Sequence, residues 1–171
     1  TVEVTNTGER AGKEVVQLYY APPYEAGGIE KSAVVLADYA KTGELQPGEK
    51  EEVTLSVKAR DMASYDFNDS NQNGFAGYEL DPGTYVLSLR KNAHETADIP
   101  NAQISLKLAE NIQYPTDEIT GAVVSNKMTG KDAVDGVGID GSDSGQKISY
   151  MSRSDFDTTF PKEPVKTRKL S

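Results

Sequence analysis

Short runs of alternating apolar and polar residues, each closed by Gly, Pro, Asn or Asp, recur along the first two thirds of this 171-residue chain. Alternation sends successive side chains to opposite faces of an extended backbone, so each run reads as a strand with one face to bury. The pattern predicts strands at Val2 to Thr5, Glu14 to Tyr20, Ala33 to Lys41, Glu52 to Lys58, Gly77 to Leu80, Thr84 to Arg90 and Gln103 to Leu108. Stripes of helical period are missing. Strands this short and this many predict an all-β antiparallel fold of two packed sheets, because one sheet needs a second to cover its apolar face.

Two turns carry the same chemistry, Leu45-Gln46-Pro47-Gly48 and Leu80-Asp81-Pro82-Gly83. Proline presets the φ of a turn's second residue and glycine accepts positive φ at the third, so both should reverse the chain between strands. Tyr85 follows the second turn. It resembles the tyrosine corner of fibronectin-like sandwiches, whose hydroxyl bonds back to nearby backbone.

From about Glu110 the character changes. Tyr114 to Gly121 reads as an edge strand or turn and Ala122 to Ser125 as a short strand, while Asp135 to Gly145 is too polar and glycine-rich to bury anything. Those glycines match neither the dinucleotide fingerprint nor the P-loop. The hydrophobic fraction of 36% fits a chain in which one part adds little to a core.

A net charge of −9 sets the chain against phosphate backbones and anionic lipid, which argues against nucleic acid and membrane surfaces as partners; neutral sugars remain compatible. The lack of cysteine removes disulfides, thiolate metal sites and a cysteine nucleophile. No apolar run approaches the roughly 20 residues that span a bilayer. Thr1 opens inside a strand pattern without an initiator methionine, so the chain is expected to come from a longer protein. Cytoplasmic and secreted locations are then equally open.

The order of residues adds a resemblance. Thr5-Asn6-Thr7-Gly8 followed by Ala11-Gly12-Lys13-Glu14-Val15-Val16-Gln17-Leu18-Tyr19 resembles the opening of the fibronectin type III-like domain of family 3 glycoside hydrolases, the β-glucosidases and their relatives. Glu30-Lys31, Leu45-Gln46-Pro47-Gly48-Glu49, Val53-Thr54-Leu55, Ala63-Ser64-Tyr65-Asp66 and Gly83-Thr84-Tyr85 continue it in order. The resemblance implies an immunoglobulin/fibronectin III-like sandwich over residues 1–110 and an irregular extension over 111–171. Ile148 to Phe156 and Phe160-Pro161 resemble the linker that, in members with rearranged domain order, leads into a catalytic (β/α)8 barrel. The implied parent hydrolyses β-linked glucosides by a retaining mechanism, with its catalytic pair on the barrel and an α/β domain. This domain would be an accessory one with no catalytic residue of its own. Ser154-Asp155-Phe156 echoes the family's Ser-Asp-Trp nucleophile setting, but Phe replaces Trp and no barrel surrounds it, so Asp155 takes no such role.

The departure from the family lies between Asp66 and Tyr78, where Phe67 to Phe75 lengthens a connection. It contains Asp69-x-Asn71-x-Asn73-Gly74, the first half of a calcium-loop signature. The twelfth position is Leu80, with Glu79 one place short, so the reading is an Asx-rich turn, with calcium on Asp69, Asn71 and Asn73 as the alternative. No other cofactor is implied. Nine tyrosines and no tryptophan make aromatic stacking on a β-glucan or oligosaccharide the rival function. Tyr19, Tyr39, Tyr65 and Tyr85 read as core or half-buried strand residues. Tyr20, Tyr24, Phe67, Phe75 and Tyr78 read as outward or on loops, with Phe75, Tyr78 and Tyr24 the candidates for sugar contact. The Pro22-Pro23-Tyr24 and Gly27-Gly28 loop reads equally as a partner-docking surface. His94, the only histidine, reads as a surface loop residue, and the 27 acidic residues single out no catalytic pair.

Overall fold

The computed structural model describes residues 1–67, 69–124 and 151–159. The expected loop at Asp135 to Gly145 and the Phe160-Pro161 pair lie outside them. Among the described residues the strands are β1 (Val2–Thr5), β2 (Val15–Ala21), β3 (Val35–Lys41), β4 (Lys50–Val53), β5 (Ser64–Asp66), β6 (Gly77–Leu80), β7 (Gly83–Asn92), β8 (Glu95–Thr96), β9 (Gln103–Leu108) and β10 (Ile112–Tyr114). Every pairing is antiparallel.

A five-stranded sheet runs β3-β2-β7-β8, with β9 also beside β7; two smaller sheets, β1-β4 and β10-β6-β5, face it. Core packing ties these layers together. Tyr20 of β2 and Tyr85 of β7 are buried against Leu80 of β6 and Met62, with Leu87, Leu108 and Tyr114 closing around them. Burying each such side chain contributes about 1.5–3 kcal/mol. At the other end Leu87 joins Val2, Val53, Leu55, Ile104 and Leu106 around an open apolar groove of about 320 Å³.

β4 stops at Val53, short of the expected Lys58. Just beyond it the chain leaves the ladder, and the Ser56 N–H bonds the Asp38 carboxylate of β3 at 2.8 Å. β10 lies past residue 110 and pairs with β6, Ile112 opposite Leu80 and Tyr114 opposite Tyr78.

Two tyrosines depart from expectation for reasons visible in the register. Tyr39 is 65% exposed, because the β2–β3 pairing slips between Leu18 and Tyr19. Val35 pairs with Tyr20, and past the extra residue Ala37 the alternation flips, which turns Tyr39 outward opposite Gln17. Tyr20, expected outward, is buried, and so is Tyr19 on the opposite face. β2 is a central strand flanked by β3 and β7. Tyr19 is covered by the Arg90 guanidinium 5.9 Å from its ring centroid and by a hydrogen bond from its hydroxyl to Gln17.

The Pro47-Gly48 turn forms as read, while Asp81-Pro82 is a bend between strands of different sheets. Gly48 has φ +84°, and the Glu49 N–H returns to the Gln46 carbonyl at 2.9 Å. Gly83 has φ +139°, and a Cβ there would lie 2.6 Å from the Pro23 Cβ, so only glycine lets the loop after β2 approach the β6–β7 turn. The tyrosine corner is present, with the Tyr85 hydroxyl donating to the Asp81 carbonyl at 3.2 Å. Burial and the adjacent Asp81 charge push its phenol well above the ordinary range, so it remains a donor.

Tyr85→Phe keeps the ring and orphans that carbonyl. The expected loss is about 1 kcal/mol in urea unfolding, with an unchanged m-value. An unaltered midpoint would show that the corner adds nothing to stability.

Candidate functional site

β6 is the middle strand of its small sheet, with Ser64 and Gln113 opposite Glu79 on either side. That position brings a carboxylate wholly out of water, for Glu79 is 0% exposed. A buried charge is tolerated only when its oxygens are filled by donors. Three amides fill them: Asn71 Nδ2 at 3.0 Å, Asn73 Nδ2 at 2.6 Å and Asn111 Nδ2 at 2.7 Å. Asp66, at the end of β5 and 1% exposed, plays a similar part, accepting from the Ser70 N–H at 2.6 Å and the Ser70 hydroxyl at 3.1 Å.

From Glu79 the polar network runs outward. Asn71 Nδ2 also donates to Asp81 Oδ1 at 3.0 Å. The other Asp81 oxygen holds the Lys31 ammonium, whose side chain is 3% exposed and which also donates to the Pro23 carbonyl at 3.0 Å. The loop after β2, the insertion before β6 and the β6–β7 turn are thereby joined at one end of the sandwich. Between loop and insertion lies a polar cleft of about 540 Å³, bordered by Tyr24, Gly28, Lys31, Asn71, Gln72 and Asp81.

The candidate calcium residues meet here. Asp69 accepts from the Gly74 N–H at 3.1 Å, Asn71 Oδ1 from the Asn73 N–H at 3.2 Å, and Asn73 Oδ1 from the Phe75 N–H at 2.8 Å. The last two are successive Asx turns, the Asp69 bond closes the wider loop around them, and Asp69 and Gln72 take positive φ. The oxygens a hard cation would need are turned onto backbone N–H groups, and the amide nitrogens face Glu79. Among the described residues no three His, Cys, Asp or Glu side chains are grouped to hold a metal.

The three candidate sugar-contact residues do not form one platform. Phe75 is half-buried and folds back over Gly77, where a Cβ would meet its ring at 2.7 Å. Tyr78 is 45% exposed, edge-on to Tyr65 with centroids 4.9 Å apart. Tyr24 is half-buried, with the Arg153 guanidinium 4.5 Å above its ring. His94 is an exposed turn residue.

The sequence marks Lys31 only within the family resemblance, Asp81 only as a turn residue and Glu79 only as a displaced calcium ligand, and gives Asn111 no role. One signal was present: Glu79 sits between Tyr78 and Leu80 in a strand run, with an Asn-rich segment close before it. A charged residue in such a run, near several amides, marks a satisfied buried carboxylate.

Known proteins agree with this architecture. Residues 14–93 match the family model of the fibronectin type III-like domain. The chain is 46% identical over 96 residues to β-glucosidase A of Butyrivibrio fibrisolvens, covering 56% of this chain and 11% of that protein. It is 44% identical over 88 residues to a β-glucosidase of Ruminococcus albus, covering 51% and 9%. Among solved structures, a β-glucosidase from Paenibacillus barengoltzii superposes with a TM-score of 0.55 at 37% identity, over 64% of this chain and 12% of that one. β-Glucosidase 3B from Thermotoga neapolitana gives 0.52 at 31%, over 66% and 14%. The chain thus spans about a tenth of the length of these curated relatives. The described residues are mostly antiparallel strands with very little helix, and the chain carries a fibronectin type III-like domain. That domain is homologous to the corresponding part of β-glucosidases of glycoside hydrolase family 3.

Glu79→Gln replaces one of the two acceptor oxygens by an amide NH2, which sets a donor against at least one of the three asparagine amides. A stability loss of about 1–3 kcal/mol is expected in urea unfolding. A loss below about 0.5 kcal/mol would mean that the carboxylate does not hold the insertion.

Proposed function

We propose that this chain is the non-catalytic structural domain of a family 3 glycoside hydrolase, a β-glucosidase in full-length form, braced against the catalytic domains of the same parent. The carrying observation is that the fibronectin type III-like match covers residues 14–93, while each β-glucosidase relative extends far beyond the shared segment. The site chemistry supports this reading. Glycoside hydrolysis needs two carboxylates about 5–9.5 Å apart across a sugar. The buried carboxylates Glu79 and Asp66 are committed to amide and hydroxyl donors, and the half-buried Asp81 is paired with the Lys31 ammonium. The apolar groove with Ile104 63% exposed and Leu106 47% exposed is a surface of the kind a neighbouring domain covers.

The isolated chain is expected to release no chromophore from an aryl β-glucoside under conditions where the parent turns it over. Reading the source gene on both sides should reveal an α/β domain ahead and a (β/α)8 barrel behind, the rearranged order. Turnover by the isolated chain, or start and stop codons bracketing it, would overturn the proposal.

The rival reading is a module that binds β-glucan through loop aromatics. Of its three candidates Tyr78 is exposed, and Tyr24 and Phe75 are half-buried. Isothermal titration with soluble β-glucan is expected to show no saturable heat. Binding near micromolar that is abolished by Tyr78→Ala would favour the module.

A further inference from the structure

After the described residues break off at Val124, the chain is next described at Met151, where it lies against the loop that follows β2. The Ser152 hydroxyl donates to Glu30 Oε1 at 2.6 Å, and the Arg153 backbone N–H donates to Glu30 Oε2 at 3.1 Å. The Ser154 N–H donates to the Tyr24 hydroxyl at 3.1 Å, and that hydroxyl donates to Glu30 Oε1 at 3.2 Å. The Arg153 guanidinium covers the Tyr24 ring at 4.5 Å, a cation–π contact. Ser152 also accepts from the Ser154 N–H at 3.2 Å, capping the 3₁₀ turn Arg153–Asp155 that leads into Phe156–Thr159. Docked and locally folded states of the segment therefore coincide.

The receiving loop is fixed independently of the segment. Pro22 and Pro23 stiffen its start, and Ile29 is 3% exposed. The Pro23 carbonyl is held by Lys31 and its ring rests over Gly83. Tyr24 and Glu30, between these anchors, present one aromatic face and three acceptor oxygens on a surface already shaped.

We propose that the Pro22 to Lys31 loop is a preformed docking site for the chain's own Ser152 to Phe156 segment, a latch that fixes the direction in which the chain leaves the sandwich. The site recognises two backbone N–H groups, a serine hydroxyl and an arginine. These contacts join residues 122 to 130 positions apart. The electrostatics agree with the geometry. Burial alone would raise the Glu30 carboxyl, but the Ser152, Arg153 and Tyr24 hydrogen bonds and the nearby guanidinium outweigh it and hold the group below its ordinary range. The latch is a property of this chain and stands or falls separately from the accessory-domain reading.

The test uses the full chain. In the unaltered protein the Arg153 and Ser154 amides should exchange at least about tenfold more slowly than in a free peptide of the same sequence, and trypsin should cut slowly after Arg153. Tyr24→Ala with Glu30→Ala should raise both rates about tenfold, while amide protection within β7 stays unchanged. Ser152→Ala alters the segment and leaves the sandwich untouched. It should raise cleavage after Arg153 on its own, which keeps the test valid if the loop variant unfolds. Free-peptide exchange at Arg153 and Ser154 in the unaltered chain, or cleavage indifferent to Ser152→Ala, would overturn the latch.

Discussion

The Glu79 carboxylate is the interaction on which this end of the molecule depends. It is fully removed from water in the middle strand of a three-stranded sheet, where an ion without donors would cost several kcal/mol. Its donors come from two separate stretches of chain, Asn71 and Asn73 in the insertion and Asn111 before β10. Satisfying one anion therefore fixes the fold of the insertion and the start of β10 together. Asn71 passes the constraint to Asp81, and Asp81 to Lys31 and the loop after β2. The geometry of Tyr24 and Glu30, and so the seat of the Ser152 segment, is inherited from that buried charge.

The strands were legible where they are long enough to show alternation. β2, β3, β7 and β9 each run six residues or more, and each falls on a predicted segment. β5, β8 and β10 have three, two and three residues, too few for a period to be distinguished from chance. They are strands because their partners offer free ladder positions. Tyr39 shows a different limit, since a single bulge at Ala37 reverses the face of everything after it and nothing in the local residues marks the slip. Tyr20 and Tyr19 show a third, because alternation assumes one wet face and a central strand can be covered on both.

The site was legible as a place more than as a mechanism. The half calcium motif drew attention to Asp69, Asn71 and Asn73, and those residues do organise the insertion. A spacing rule tells which side chains share a loop; it does not tell whether their oxygens turn inward to a cation or onto backbone N–H groups. In the structure Glu79 accepts the amide end of Asn73, while the Asn71 and Asn73 oxygens accept from backbone N–H groups. The pairing of Glu30 with Ser152 spans 122 positions, beyond any local signal.

An acidic chain similar to part of β-glucosidases invites a search for a catalytic pair, and its buried and loop-bound acids are already engaged by donors. A general acid must expose its proton to a substrate, and a nucleophile must present a lone pair to an open cavity. Glu79 has its oxygens filled by amides, Asp81 is shared between Asn71 and Lys31, and Asp66 is bonded to Ser70. Even the more accessible Glu30 has both oxygens engaged by Ser152, Arg153 and Tyr24. Carboxylates bound in this way hold loops and termini in place.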